Sequence, residues 1–208
     1  MTAANKKKRR SYWLKQLHLW HWVSSAVCLV GLLLFTVTGV TLNHAADIEA
    51  KPRVTTREGR LPTELATRLA AGPQKGKAAL PAEAAAWLGR EFGLDLAGRE
   101  AEWSPGEAYL SLPRPGGDAW MTLARDTGEI TYERTDRGWI SYLNDLHKGR
   151  NTGAAWRWFI DVFAAASLVF ALTGLILLQL HSHNRPSTWP TVALGLLVPL
   201  LLAMFFIH

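Results

Sequence analysis

The histidines of this 208-residue chain are the residues best suited to chemistry, because neutral imidazole is a common ligand of transition metals. The seven histidines form two groups beside long apolar runs. The first group consists of His18, His21, His181 and His183, and the second consists of His44, His147 and His208. Two imidazoles from facing helices can hold a haem iron axially while apolar side chains enclose the ring. Each group therefore predicts one bis-histidine haem site.

The ligand pairs that we expect are His44 with His147 and His21 with His181. His18 lies one helical turn before His21, so at most one of the two binds the same iron. Gly39 follows His21 by 18 residues, about five turns, and Gly174 precedes His181 by seven, about two turns. Glycines on a ligand-bearing face leave room for a flat macrocycle or for close helix packing. This phase favours His21 over His18.

Lys148 and Arg150 stand beside His147 and are placed to pair with haem propionates or with an anionic substrate. Anchoring of the chain at the membrane surface is the alternative for both residues. We expect His183 and His208 to be ordinary interfacial residues, and the same reading is the alternative for the other histidines.

Three long runs without charge predict membrane-spanning helices. They extend from Gln16 to Ala46, from Val162 to Asn184 and from Pro186 to His208, and each exceeds the roughly 20 residues that span a hydrocarbon layer. The first run is too long for the core of a cleaved signal peptide, which has roughly 7 to 15 apolar residues, so we expect it to be retained.

The charge distribution predicts the orientation of these spans. The basic run KKKRR (6–10) precedes the first span, and Arg185 lies between the second and the third. Because positive charge stays in the cytoplasm, the N-terminus is expected inside, and residues 45–153 and the C-terminus outside.

The sequence thus divides into six segments. These are a basic cytoplasmic tail (1–15), transmembrane helix 1 (16–44), an outer domain (45–153), transmembrane helix 2 (154–181), a cytoplasmic turn (182–187) and transmembrane helix 3 (188–208).

The outer domain has the pattern of an α+β fold. Residues 61–72 and 81–93 predict two short helices, and residues 99–104, 107–112, 119–124 and 129–134 predict strands bounded by turn residues. The Asp-Thr-Gly turn at 126–128 predicts a hairpin between the last two strands. We therefore expect helices followed by an antiparallel sheet.

Several functions are disfavoured. The outer domain has 15 basic and 16 acidic residues, so it lacks the basic surface of a nucleic-acid-binding domain. It contains no nucleophile elbow, HExxH, Walker loop or CxxC motif. A permease is disfavoured because Asp161 is the only carboxylate within the spans. The single cysteine, Cys28, permits no intramolecular disulfide.

The sequence resembles the PepSY-associated transmembrane-helix family of bacteria. The resemblance covers residues 12–208 and is strongest in NDLHKGRNTG (144–153) and in the pairs Thr38-Gly39 and Thr173-Gly174. It implies an inner-membrane protein with three transmembrane helices and a small α+β PepSY-like periplasmic domain inserted between helices 1 and 2. His21 matches the family's first-helix histidine, and His147 matches the histidine before the return helix.

Larger relatives in this superfamily are haem-containing reductases that pass electrons to ferric siderophores. The resemblance therefore implies a b-type haem protein with one or two haems, which carries electrons to periplasmic ferric iron or a ferric siderophore. A homodimer would help three helices to enclose the cofactor. The alternative function is a membrane-anchored PepSY-like module, without enzymatic activity, that binds or regulates a periplasmic partner protein.

Overall fold

The computed structural model describes residues 3–48 and 51–207, so His208 lies outside the described residues. The chain forms two compact units. The helical unit consists of Met1–Leu34 with Trp158–His208, and the sheet unit consists of Phe35–Arg157.

The elements follow one another in an order that places the sheet between the first and the second long helix. They are α1 (Ala3–Asn43), β1 (Arg53–Arg60), α2 (Thr63–Ala70), β2 (Gly76–Ala79), α3 (Ala82–Phe92), β3 (Glu100–Trp103), β4 (Glu107–Ser111), β5 (Gly117–Ala124), β6 (Glu129–Asp136), α4 (Trp139–Lys148), α5 (Gly153–His181), a 3₁₀ turn (Ser182–Asn184) and α6 (Thr188–Phe206).

In the described part of the chain, three helices are long and apolar enough to cross a membrane, as the uncharged runs predict. They contain the segments Ala4–Asn43, Gly153–Asn184 and Thr188–Phe206. The first helix includes the basic residues 6–10 of the predicted cytoplasmic tail. Most side chains of these helices are exposed in the isolated chain, which is consistent with contact to lipid.

In the helical unit, α1 and α5 run antiparallel. His21 contacts Thr173, while Gly31 lies against the ring of Phe163, so residue numbers rise along one helix as they fall along the other. A methyl group at Gly31 would overlap this ring and would lie 2.8 Å from its Cδ2 atom. Gly31 therefore permits the close approach of the two helices.

The sheet unit contains a six-stranded sheet in the order β1-β6-β5-β4-β3-β2, with every neighbouring pair antiparallel. One face of the sheet is buried. Strand β5 shows the alternation clearly, because Ala119, Met121 and Leu123 are buried whereas Trp120 and Thr122 are partly exposed. Leu69 of α2 and Leu88 of α3 belong to the same hydrophobic core.

The structure confirms the two short helices and the four strands predicted for this unit. The predicted hairpin is the β5–β6 pair, and Gly128 in its turn has a φ of 71°, a value that suits glycine. The expected order of helices followed by sheet was incomplete, because β1 precedes both helices and β2 lies between them. β1 is an edge strand with seven of its eight residues exposed, so its sequence lacks a buried alternate face.

Candidate functional site

His21 lies on the side of α1 that contacts α5. Its Nδ1–H donates to Oγ1 of Thr173 at 3.0 Å. Its ring stacks on Phe170 with 4.9 Å between centroids and 17° between planes. A Cβ atom added at Gly174 would lie 3.2 Å from Cε1 of His21, which is tighter than ordinary contact. Three residues of α5 therefore fix the position of this imidazole.

The hydrogen bonds of Thr173 also decide which nitrogen of His21 carries the proton. The Thr173 hydroxyl donates to the carbonyl of Val169 at 2.7 Å and lies 3.0 Å from that of Phe170. Because a hydroxyl has only one proton to donate, we infer that it keeps this proton on Val169 and that its oxygen accepts from Nδ1–H of His21. Nε2 of the neutral ring is then the atom with a free lone pair, as a metal ligand requires.

His147, on α4 in the sheet unit, has the same kind of surroundings. Its Nδ1–H donates to Oγ1 of Thr38 at 2.7 Å, and the Thr38 hydroxyl donates to the carbonyl of Phe35. The ring packs on Phe35 with 4.8 Å between centroids and 43° between planes. A Cβ atom at Gly39 would lie 3.7 Å from Cε1 of His147. Thr38 is almost completely buried.

The two sites share the pattern Phe-x-x-Thr-Gly. It reads FTVTG at 35–39 in α1 and FALTG at 170–174 in α5. We call each pattern together with the histidine that it contacts a histidine seat. The phenylalanine packs on the ring, the threonine accepts from Nδ1, and the glycine leaves the room that the imidazole occupies.

The structure also shows what lies beside each of these glycines. Gly39 lies next to His147, and Gly174 lies next to His21 and lines the same cavity as His181. At both positions the absent side chain leaves room for a histidine ring.

His21 and His181 line the same cavity of about 660 Å³ in the helical unit. The cavity is lined by His21, Gly174, Leu177, Leu178, His181, Asn184, Arg185 and Thr188. The expected inner ligand pair is thus brought to one space, with an arginine at its edge. His18, one turn before His21, is exposed and is not among the residues that line this cavity.

His181 and His18 each donate through Nδ1–H to a backbone carbonyl one turn earlier in their own helix. The acceptors are Leu177 for His181 and Leu14 for His18, both at 2.8 Å. A carbonyl oxygen can only accept, so Nε2 is again the nitrogen with the free lone pair.

The structure shows different surroundings for His44 and His147, the expected outer pair. His44 is exposed, and its Nδ1 lies 3.2 Å from the carboxylate of Asp47. None of the hydrogen bonds or ring contacts of the described residues links His44 to His147. His147 is instead held by Thr38 and Phe35.

The segment around His147 connects α4 to two other elements. Asn144 accepts from the hydroxyl of Thr41 at 2.7 Å. The buried carboxylate of Asp145 accepts from the backbone N–H of Gly116 at 2.9 Å and from Nε of Arg150 at 2.9 Å. Arg150, expected to meet an anion, is thus already paired with Asp145, whereas Lys148 is exposed.

Within residues 3–48 and 51–207, no group of three or more His, Cys, Asp or Glu side chains is placed to hold a metal ion. A site built from protein ligands alone needs at least three of them. Haem iron differs, because the porphyrin supplies four ligands and the protein supplies only one or two.

Sequence reasoning missed the phenylalanines of the two seats and the histidine that lies against each glycine. The repeat of Phe-x-x-Thr-Gly was visible in the sequence and could have identified Phe35 and Phe170. Which histidine fills each seat depends on the packing of α1 on α5 and of α4 on α1, and local spacing does not specify this packing.

The chain matches the family model described as PepSY_TM-like over residues 12–208. It therefore belongs to this family, and the resemblance inferred from its motifs is confirmed. No curated protein and no solved structure is similar enough to the chain to count as a match.

Proposed function

We propose that this PepSY_TM-like protein is a b-type haem protein of the bacterial inner membrane, which carries electrons outward to ferric iron or a ferric siderophore. The observation that carries the proposal is that His21 and His181 line one cavity and that both keep Nε2 available as a ligand.

The residues around this cavity suit a haem in three ways. Its volume of about 660 Å³ lies within the range typical of sites for small molecules and cofactors, about 300–1,000 Å³. Leu177 and Leu178 provide apolar surface against a macrocycle. Arg185 at the cavity edge supplies a guanidinium that can pair with a propionate.

In this proposal His21 and His181 would hold the haem iron through Nε2, and Thr173 is a positioning residue that keeps the proton of His21 on Nδ1. The leucines exclude water from the site. A bound haem would supply reversible one-electron transfer, whereas the protein sets ligation and burial.

We assign a second ligand position to His147 in the other seat, with His44 as the partner expected from the sequence. In the orientation predicted from charge, this position lies on the periplasmic side. A homodimer and a PepSY-like fold of the sheet unit belong to the same proposal.

The test is the absorption spectrum of full-length protein purified in detergent from haem-replete cells, before and after reduction with dithionite. We expect a Soret band and a sharp α band after reduction. His21→Ala and His181→Ala should each lose most of the haem bound in the helical unit, because the remaining axial ligand binds more weakly alone.

His183→Ala is the matched control, since His183 lies two residues from His181 but does not line the cavity. Its spectrum should be that of the unchanged protein. A preparation without Soret absorbance, or equal haem content in all three variants, would contradict the haem proposal.

One observation favours the alternative function, a membrane-anchored module that binds a partner protein. The sheet face away from the core carries Tyr109 stacked on Trp120, with 6.4 Å between their ring centroids. The strand pairing places Glu58, Glu102, Glu107, Asp118 and Glu133 on this same face. Such a surface suits a partner with a basic contact face.

This alternative is tested with a lysine-rich peptide as the probe and tryptophan fluorescence as the readout. It predicts that Glu102→Gln combined with Glu133→Gln abolishes binding, whereas Glu64→Gln on α2 has no effect. His21→Ala should leave this binding unchanged. Equal binding by the double variant and the unchanged protein would contradict the alternative.

A further inference from the structure

The sheet unit contains a cavity that none of the expected histidine sites uses. It has a volume of about 590 Å³ and lies where the edge strand β1 pairs with β6, beside the C-terminal end of α3. Its lining consists of Lys51, Arg53, Thr55, Arg57, Phe92, Gly93, Leu94, Tyr132, Arg134, Asp136 and Gly138.

The strand register explains why charged residues gather here. Arg53 and Arg57 are separated by an even number of residues on β1, so they lie on one face. Arg134 of β6 is directly opposite Thr55, and Asp136 is opposite Arg53. Three guanidinium groups from two neighbouring strands therefore share one face of the sheet.

The cavity has a strong excess of positive charge. Among residues 3–48 and 51–207, its lining has four cationic residues, counting Lys51, and one carboxylate, Asp136. Residues 45–153, by contrast, have 15 basic and 16 acidic side chains. Like charges on adjacent strands repel one another, so a bound anion would relieve this repulsion.

Some of the cationic side chains that line the cavity are held by contacts within the protein, whereas others are available to bind an anion. Arg57 donates to the carbonyl of Glu91 at 3.0 Å and lies 4.8 Å from the ring centroid of Phe92. Arg134 is 3.8 Å from Asp136, a long ion pair. Among the described residues, the side chains of Arg53 and Lys51 form no hydrogen bond and no ion pair within 4.0 Å, although the charge of Arg53 acts on the nearby Asp136.

The carboxylate in the cavity is itself kept charged. The backbone N–H of Gly138 donates to Asp136 at 2.9 Å, and Arg114, Arg134 and Arg53 add favourable charge interactions. Together they hold the pKa of Asp136 below its ordinary value despite some desolvation. Asp136 therefore stays ionised at neutral pH and reduces the positive charge of the cavity.

We propose that this cavity binds a small multivalent carboxylate, of which citrate is the simplest probe. Guanidinium forks bind carboxylates through paired hydrogen bonds, and several of them in one cavity favour an anion with several carboxylates. Phe92, Leu94 and Tyr132 provide an apolar wall for the carbon skeleton. This anion site needs no haem, so it goes beyond the electron-carrier function proposed above.

The test is isothermal titration calorimetry of the full-length protein in detergent at low ionic strength, with citrate and with inorganic phosphate. We expect citrate to bind more tightly than phosphate. Arg53→Gln combined with Arg134→Gln should weaken citrate binding by at least about tenfold, because two charge-assisted contacts are lost. Lys77→Gln, on the opposite face of the sheet, should bind citrate like the unchanged protein.

Asp136→Asn separates loss of the site from loss of the fold. It removes the carboxylate that the described part of the lining contributes, and its amide oxygen can still accept from Gly138. We expect citrate affinity to rise several-fold, a gain that unfolding cannot produce. Unchanged affinity in both Asp136→Asn and the double arginine variant would overturn the proposal, and tighter binding of phosphate than of citrate would overturn the carboxylate assignment.

Discussion

At the scale of single residues, the most informative atoms are the hydroxyl oxygens of Thr38 and Thr173. Each donates its proton to its own helix and accepts a proton from a histidine of another helix. A neutral imidazole held in this way can use only Nε2 as a ligand. The threonines thus determine which nitrogen of each histidine is available for chemistry.

The first prediction concerns Thr173→Val, which keeps the shape of the side chain and removes the oxygen that accepts from His21. If haem is bound, its affinity should fall about 10- to 100-fold, the usual effect of losing such a supporting contact. Its midpoint potential should rise, because an imidazole without this hydrogen bond donates less electron density to the iron.

Thr173→Ser restores the hydroxyl and is the control for that experiment. Haem titration and a potentiometric titration followed at the α band measure the two quantities. A midpoint potential that is the same in Thr173→Val, Thr173→Ser and the unchanged protein would show that Thr173 does not position His21.

A second residue-scale prediction concerns Arg125, which is buried in the sheet unit. Its guanidinium donates to the carbonyls of Ala70, Gly72, Pro73 and Ser104 at 2.8–2.9 Å. Arg125→Met leaves these carbonyls without their donor, so we expect a loss of about 2–4 kcal/mol in the free energy of unfolding. Urea unfolding followed by tryptophan fluorescence measures it.

Arg99→Met is the matched control for Arg125→Met, because Arg99 is exposed. We expect its effect to lie within about 0.5 kcal/mol of zero. Equal stability of the two variants would mean that the four carbonyls find other donors.

At the scale of elements, the contact of α1 with α5 depends on Gly31. A methyl group there overlaps the Phe163 ring. Gly31→Ala should therefore destabilise the helical unit by about 1–3 kcal/mol, the range observed for overpacked sites. Gly195→Ala on α6 is the control, since no atom of the described residues lies within 4 Å of its added methyl group.

Thermal unfolding in detergent, followed by circular dichroism, compares these two glycine variants. Gly195→Ala should be neutral or slightly stabilising, because alanine favours a helix more than glycine does. A Gly31→Ala variant that is as stable as Gly195→Ala would show that α1 and α5 can separate at this point without loss.

The connection from β6 to α4 should weaken in acid. The pKa of Asp136 is lowered from 3.8 by the Gly138 N–H and then by arginines. A lowered pKa means that ionised Asp136 stabilises the fold fully above about pH 3.8 and loses this effect as the pH falls through the lowered value. The free energies of unfolding of the unchanged protein and of Asp136→Asn should therefore become equal as the pH is lowered. A difference between them that stays constant with pH would contradict this account.

Most elements could be predicted from the sequence because their buried faces require apolar residues at a regular spacing along the chain. The buried alternate residues of β5 and the apolar face of α3 are examples, as are the uncharged runs of the long helices. β1 lacked such a spacing because it is an exposed edge strand. α4 was not predicted because its buried residues are polar, Asn144 and Asp145.

The sequence predicts His21 and His181 as a ligand pair, and the structure places both in the lining of one cavity. The residues that contact His21 and His147 were not predicted. The seats and the cationic cavity depend on which helix faces meet and on the register of β1 with β6. These contacts join residues that are far apart in the sequence, so no regular spacing within one segment indicates them.

At the scale of the whole molecule, the orientation in the membrane can be tested through cysteine. Cys28 is the only cysteine and is fully buried, so new cysteines can be labelled without background. In spheroplasts, a membrane-impermeant maleimide should label Lys75→Cys in the sheet unit but not Lys7→Cys in the basic run, because positive charge stays inside.

Labelling of Lys7→Cys and not of Lys75→Cys would show that the orientation in the membrane is the opposite of the predicted one. It would also move the proposed anion site to the cytoplasm. The unchanged protein, which should remain unlabelled, is the control for access to Cys28.

The two Phe-x-x-Thr-Gly segments share the three residues that contact a histidine, so we expect either segment to hold either histidine. Only their second and third residues differ, Thr36 and Val37 in one and Ala171 and Leu172 in the other, and neither pair makes the contacts that hold an imidazole. Exchanging FTVTG for FALTG should therefore preserve the contacts of both His21 and His147. A Phe-x-x-Thr-Gly segment placed in a designed membrane helix, opposite a histidine of a second helix, should hold the proton of that histidine on Nδ1.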